Sequence, residues 1–95
     1  MKLLIIICES ALEGQITKLL DEMDTYYSIF HDVLGKGRTG KKENNPIWPG
    51  INMVFYASVP EEKIPKVTSE IEEIKKSYRK TPGCKVFSLD TEEIL

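Results

Sequence analysis

Four runs of apolar residues along the chain have the length and spacing of β-strands. Lys2–Glu9 is apolar almost without interruption and rich in isoleucine, which is typical of a strand buried on both faces of a sheet. Tyr26–Leu34 is a second such run, and Ile51–Val59 is a third, with apolar side chains falling on both faces. Lys85–Leu89 predicts a short fourth strand. The pattern therefore predicts a sheet in which the first strand is central.

Two segments between these strands repeat apolar residues at the spacing of one helix face. The first begins at Ser10 and Glu13, which have the S-x-x-E spacing of a capping box, and is expected to end near Asp24. The second ends at a Thr-Pro-Gly segment at 81–83. Its Pro65 must lie in the first turn, because a proline deeper in a helix removes a hydrogen bond and clashes with the preceding turn.

The order β-α-β-β-α-β predicts an α+β, ferredoxin-like fold. Right-handed crossovers place both helices on one face of a four-stranded antiparallel sheet, with the first and third strands in the centre. The other face also carries apolar side chains, among them Val54 and Tyr56. Leaving such side chains in water costs roughly 1.5–3 kcal/mol each relative to burial, so we expect a homo-oligomer whose subunits cover this face.

Residues 35–50, between the second and third strands, have the composition of a long loop. They contain glycines, prolines, four basic side chains and the only tryptophan of the chain. A loop this long in a small domain is usually functional or disordered, and residues 1–95 are interpreted as one domain organised around it. The residues expected to contact a protein partner are Lys41, Lys42, Ile47 and Trp48. A second interpretation remains open, in which Trp48 packs on its own subunit and the loop is a solvated connection.

Charge and composition exclude several classes of function. The chain has 13 basic and 15 acidic residues and a formal net charge of -2, which gives no electrostatic basis for nucleic-acid binding. The apolar run at 3–8 is too short to span a bilayer and has no small-residue cleavage site after it, so we expect no membrane insertion and a cytoplasmic location. The sequence also lacks the motifs of hydrolases, P-loop proteins and zinc sites, which predicts that the protein is not an enzyme.

Two short segments resemble those of a known family. The letters GKGR at 35–38 end the second predicted strand, where P-II nitrogen regulatory proteins carry G-x-G-R at the base of a long T-loop; KVF at 85–87 resembles their K-I-F-V strand. With the order of elements along almost the whole chain, these segments make the sequence similar to a divergent PII-like protein. The resemblance implies a homotrimer that senses a small molecule and acts on a transporter or an enzyme through the T-loop, here 35–50.

The resemblance also implies a ligand site in the clefts between subunits. There a small anionic effector, such as the adenine nucleotides ATP, ADP or AMP, would contact Gly35, Gly37, Arg38 and Lys85, with Ile7 lining the base pocket. These residue types suit the role, since glycines let backbone N–H groups approach an anion and the basic side chains form charge-assisted hydrogen bonds to phosphate. The family's G-D-G-K before the fourth strand is P-G-C-K at 82–85 here, which favours a smaller or different ligand.

Two alternatives from other functional classes remain open. One is a metal-binding trimer similar to the copper-tolerance proteins, for which His31, Cys8 and Cys84 would supply the ligands. The other is a ligand-free oligomeric adaptor that grips a partner with Ile47 and Trp48. Because the fourth strand runs antiparallel to the first, the strand ends that carry Cys8 and Cys84 are expected to lie near each other, and the cysteines are either a redox-sensitive pair or two unrelated apolar residues. Strand register decides between these interpretations.

Overall fold

Four antiparallel strands form one sheet: β1 (Lys2–Glu9), β2 (Tyr26–Leu34), β3 (Ile51–Val59) and β4 (Cys84–Asp90). The computed structural model describes residues 1–34 and 51–95, with the backbone alone at Ile51. The strand order is β2-β3-β1-β4, so β1 and β3 are central and the predicted ferredoxin-like sheet is confirmed. β4 is one residue longer at each end than the sequence predicts.

The first helix, α1 (Glu13–Glu22), begins through a 3-10 turn at Ser10–Leu12. No side chain caps the start of either segment, so the predicted capping box of Ser10 and Glu13 is wrong. Ser10 lies inside the 3-10 turn, whereas a capping side chain belongs to the residue that flanks the helix in extended conformation. The Glu13 carboxylate instead contacts the imidazole of His31 in β2, with 2.9 Å between Oε2 and Nε2.

The predicted end of α1 and the predicted start of the second helix agree with the structure. After α1, Asp24 has a φ of 54° and turns the chain toward β2, a conformation that the short polar side chain of Asp tolerates. The second helix, α2 (Ile64–Lys76), also follows a 3-10 turn, at Glu61–Lys63. Pro65 lies in its first turn, where the missing N–H has no helical partner to lose.

Both helices pack on the same face of the sheet, as predicted, and the hydrophobic core lies between them and β1 and β3. Alternate residues of these two central strands point into it, because successive side chains of a strand face opposite sides. Tyr27 packs edge-on against Phe55, with 5.9 Å between ring centroids. The fully buried side chains are Leu4, Ile6, Cys8, Leu12, Ile16, Leu20, Met53, Phe55, Ala57, Val59 and Val67.

The opposite face of the sheet, which we call the open face, is apolar as well but is not covered by the helices. At its centre Ile5 lies opposite Tyr56 of β3 and opposite Phe87 of β4. Tyr56 and Phe87 are 43% and 54% exposed, and Tyr56 stacks edge-on with Phe30 at 5.2 Å between centroids. The apolar side chains of the open face are Leu3, Ile5, Ile7, Tyr26, Phe30, Val54, Tyr56, Phe87 and Leu89.

Candidate functional site

Two of the residues expected to bind a ligand are neighbours on the open face. Ile7, near the end of β1, lies directly opposite Lys85, the second residue of β4, and opposite Val54 of β3. Partners in register share a face of the sheet, so the apolar side chain of Ile7 and the basic side chain of Lys85 lie side by side. Ile7 is 37% exposed and Lys85 is exposed. An apolar surface next to an ammonium group is suited to a ligand with a flat apolar part and an anionic part.

The loop before β4 is held by a carboxylate of the chain itself. The Glu9 carboxylate accepts a hydrogen bond from the Gly83 backbone N–H, with 2.5 Å between Oε2 and N. The Glu9 backbone N–H in turn donates to the Gly83 carbonyl at 3.1 Å. Glu9 is 9% exposed, so this contact lies under the surface of the sheet end. The Gly83 N–H, two residues before Lys85, thus already binds a carboxylate oxygen of the chain itself.

A lysine of α2 reaches the same loop. The Lys75 ammonium donates a hydrogen bond to the Cys84 carbonyl at 3.3 Å, and it lies in the last turn of its helix. Sequence reasoning singled out neither Lys75 nor Glu9. The sequence features that mark them are common ones. A lysine in the last turn of a helix often binds carbonyl oxygens, and Glu9 is simply the acid that ends the apolar run of β1. The pairing of β1 with β4 brings Glu9 to the loop at 82–85, and Lys75 reaches it from the last turn of α2.

The two cysteines lie opposite each other in the register of β1 and β4. Both are free thiols, and Cys8 and Cys84 are 1% and 7% exposed on the core side of the sheet. The hydrogen bond between the two thiols is the main cause that raises the pKa of Cys8 above its usual value. The same hydrogen bond lowers the pKa of Cys84, and the nearby Lys75 charge lowers that pKa further. Cys84 is the thiol whose own carbonyl binds the Lys75 ammonium.

The end of β2, which leads into the segment 35–50, departs from regular pairing. The register with β3 shifts between Phe30 and Val33, and Asp32 within this irregularity has a φ of 57°. The His31 imidazole projects from it to the Glu13 carboxylate of α1. The hydrogen bond and the charge of Glu13 raise the pKa of His31 above its usual value. This ion pair ties α1 to the irregular part of β2.

The ligands required by the metal-binding alternative do not come together. His31 contacts Glu13 of α1, whereas Cys8 and Cys84 pair between β1 and β4. Within residues 1–34 and 51–95, no group of three or more His, Cys, Asp or Glu side chains is arranged to hold a metal ion. A shallow groove along α1, between Glu13 and Glu22, contains no residue of the sheet end that carries Ile7 and Lys85.

Seven of the predicted site residues lie outside the described residues. They are the expected ligand contacts Gly35, Gly37 and Arg38 and the expected partner contacts Lys41, Lys42, Ile47 and Trp48. Their roles, like those of Ile7 and Lys85 in binding, stay predictions. In the described part of the chain, no helix is long and apolar enough to cross a membrane.

Comparison with solved structures finds the same fold in PII-like proteins. One of them is CPII from Thiomonas intermedia K12, a nitrogen regulatory PII-like protein bound to ADP and bicarbonate. Its sequence is 27% identical, the alignment covers 93% of this chain and 84% of that chain, and the TM-score is 0.66. CPII bound to ADP, AMP and bicarbonate gives 24% identity, the same coverage and a TM-score of 0.67. TTHA0516 from Thermus thermophilus, assigned to the PII-like signalling class, gives 22% identity, coverages of 93% and 83%, and a TM-score of 0.65.

Comparison at the level of sequence families agrees with the fold. A search of curated proteins finds no match to the sequence. The model of the family "Nitrogen regulatory protein P-II" matches residues 1–95, the whole of the sequence. The chain therefore belongs to the nitrogen regulatory protein P-II family.

Proposed function

We propose that this chain is a cytoplasmic, trimeric PII-like regulator without enzymatic activity of its own. It binds a small anionic effector, most simply an adenine nucleotide, in clefts between subunits, and acts on a protein partner through the loop at 35–50. The observation that carries the proposal is the register that places Ile7 beside Lys85 on the open face, next to the loop at 82–85. Membership of a regulatory family supports the same conclusion.

The open face supports the proposed trimer. It presents apolar side chains from all four strands, with Ile5, Tyr56 and Phe87 in one row. Exposed apolar surface of this kind is typical of contacts between subunits, because each side chain buried there gains roughly 1.5–3 kcal/mol relative to exposure. Covering the open face with a second subunit also places that subunit's surface against Ile7 and Lys85. The ligand cleft and the subunit contact are then parts of one surface.

The spacing of the strands allows the base of the 35–50 loop to contribute to this cleft. β2 and β4 are the edge strands, separated by three strand spacings of about 4.8 Å, or roughly 14 Å. Arg38 follows Leu34, the last residue of β2, by four positions, and four extended residues span roughly 14 Å. A guanidinium group on such a segment can therefore share an anion with Lys85. Gly35 and Gly37 would let backbone N–H groups approach the same anion.

Adenine nucleotides are the effectors that the comparisons favour. CPII, at 27% identity, was solved with ADP and bicarbonate, and again with ADP, AMP and bicarbonate. In this chain Ile7 would contact the base, and Lys85 and Arg38 would bind phosphate oxygens. Ligand contacts at Gly37 and Arg38 would favour one conformation of the 35–50 loop and thereby change the affinity for the partner, a transporter or an enzyme. A ligand with fewer phosphates also fits a site in which Glu9 already occupies the Gly83 N–H.

Calorimetric titration of the purified protein with ATP, ADP and AMP, each with and without Mg²⁺, tests this proposal. We expect saturable binding near one site per chain, weakened at least tenfold in Arg38→Ala and in Lys85→Ala. Lys66→Ala is the control, because Lys66 is an exposed base on α2 that pairs with Glu70. Absence of binding with every nucleotide, or equal affinity in all variants, contradicts the proposal. The first of these results would leave the ligand-free adaptor as the better description.

A further inference from the structure

The geometry of Cys8 and Cys84 meets the requirements for a disulfide between β1 and β4. The two residues are direct partners in the antiparallel ladder. The ladder hydrogen bond is made by the next pair of residues, because the Glu9 N–H donates to the Gly83 carbonyl at 3.1 Å. That pattern makes Cys8 and Cys84 a non-hydrogen-bonded pair, the class in which Cα atoms lie about 4.5 Å apart and side chains are closest. A disulfide spans Cα separations of about 4.4–6.8 Å.

The two sulfurs also point to the same side of the sheet and interact. Both side chains are buried on the core face, directly opposite each other in the register of β1 and β4. This contact and the Lys75 charge lower the pKa of Cys84, which favours the thiolate needed for reaction with an oxidant. Cys84 is also the first residue of an edge strand and follows Pro82 and Gly83. The Cys84 side chain keeps 7% of its surface exposed there, which is where a small oxidant would reach the sulfur.

We propose that Cys8 and Cys84 form an oxidation site that closes into a disulfide between β1 and β4. The oxidant class is a hydroperoxide. The Cys84 thiolate attacks one peroxide oxygen and breaks the O–O bond, giving a sulfenic acid and, with hydrogen peroxide, one water. The Cys8 sulfur then attacks the sulfenic sulfur, and its proton leaves with the hydroxyl group as a second water. Two thiols and one hydrogen peroxide thus become one disulfide and two waters.

The disulfide would act on the sheet end that carries the candidate ligand residues. Cys8 is adjacent to Ile7 and Glu9, and Cys84 is adjacent to Gly83 and Lys85. A covalent bond at this position holds the start of β4 against β1 and prevents it from opening. It also closes a long loop of the chain, which reduces the conformational entropy of the unfolded state. The chemistry of the pair stands on its own geometry and does not depend on the proposed function.

The test is oxidation of the purified protein with hydrogen peroxide, followed by alkylation under denaturing conditions and mass measurement of the intact chain. Because the chain has only two cysteines, we expect both thiols to be lost and the mass to fall by two hydrogen atoms. A dithiol reductant should restore the original mass. A digest of the oxidised wild type should contain one cross-linked peptide pair joining residues 8 and 84, a readout that needs no variant.

Cys8→Ala and Cys84→Ala serve as controls that cannot form the bond. The oxidised wild type should melt about 10 °C or more above the reduced form, whereas neither variant should gain stability on oxidation. Thiols that remain alkylatable after oxidation overturn the proposal. So does a product that carries only added oxygen atoms, or one whose disulfides join two chains on a non-reducing gel.

Discussion

The Glu9 carboxylate and the Gly83 backbone N–H are joined by a hydrogen bond of 2.5 Å between Oε2 and N. The two residues are 74 positions apart in the sequence and meet at the start of β4. Gly83 lies two residues before Lys85, which is proposed to bind phosphate, and Glu9 places a negative charge beside it. An anionic ligand at this loop must displace the carboxylate or bind beside it.

Replacing Glu9 by Gln should strengthen anion binding. Glutamine keeps an acceptor for the Gly83 N–H but removes the charge that repels phosphate. A like charge beside the bound anion costs on the order of 1–2 kcal/mol after screening by water, so we expect AMP to bind about tenfold tighter. Calorimetry of wild type and Glu9→Gln measures the difference. Glu13→Gln, on α1, is the control, and an unchanged or weaker affinity in Glu9→Gln would show that Glu9 does not limit binding.

A charge at the centre of the open face should dissociate the oligomer. Ile5→Glu places a carboxylate between Tyr56 and Phe87, where burial in a subunit contact would leave it unpaired. We expect light scattering during size-exclusion chromatography to give a trimer mass for the wild type and a monomer mass for Ile5→Glu. Ile94→Glu makes the same change at an exposed residue outside the sheet and should remain trimeric. A wild type that is monomeric at micromolar concentration would contradict the open-face interface.

His31 should titrate above its usual pKa of 6.5 because of Glu13. The hydrogen bond to Glu13 contributes most, followed by the charge of Glu13, and the charge of Asp32 adds to the same direction. Because the pKa is higher in the folded protein than in the unfolded chain, the pair stabilises the fold fully below about pH 6.5. That stabilisation is lost as the pH rises through the raised value, and it is small because both side chains are exposed.

NMR titration of the imidazole measures this pKa directly, since His31 is the only histidine of the chain. Glu13→Gln should bring the pKa of His31 back toward 6.5, whereas Glu22→Gln, at the far end of α1, should leave it raised. An unchanged pKa in Glu13→Gln would show that the ion pair is not formed in solution.

The core between the helices and the sheet should be sensitive to the loss of a single buried side chain. Leu20 of α1 is fully buried, and truncating such a leucine to alanine removes apolar contacts and leaves a cavity. We expect Leu20→Ala to lower the free energy of unfolding by about 3 kcal/mol. Leu95→Ala, the same change at a fully exposed residue, should alter it by less than about 0.5 kcal/mol. Denaturant titrations at one fixed protein concentration compare the two variants, because the stability of an oligomer depends on concentration.

Local sequence patterns predicted most of the elements well. They predicted the start of α1 poorly, and they placed the end of α2 at 81–83, whereas the helix ends at Lys76. The bounds of β1, β2 and β3 agree with the structure, and Pro65 lies in the first turn of α2 as expected. These features depend on neighbouring residues and on the alternation of buried positions, which the sequence displays directly. The capping box failed because a 3-10 turn precedes α1, and because Glu13 has a distant partner in His31 that a four-residue motif cannot reveal.

By itself the sequence determined the order of the elements, the two apolar faces of the sheet and, through short segments, the family. Only the tertiary structure decided which residues face one another at the end of the sheet: Ile7 with Lys85, Cys8 with Cys84, and Glu9 with Gly83. The reason is that register between β1 and β4 is a contact across most of the chain. A shift by one residue would reverse the faces of all these side chains without changing any local pattern.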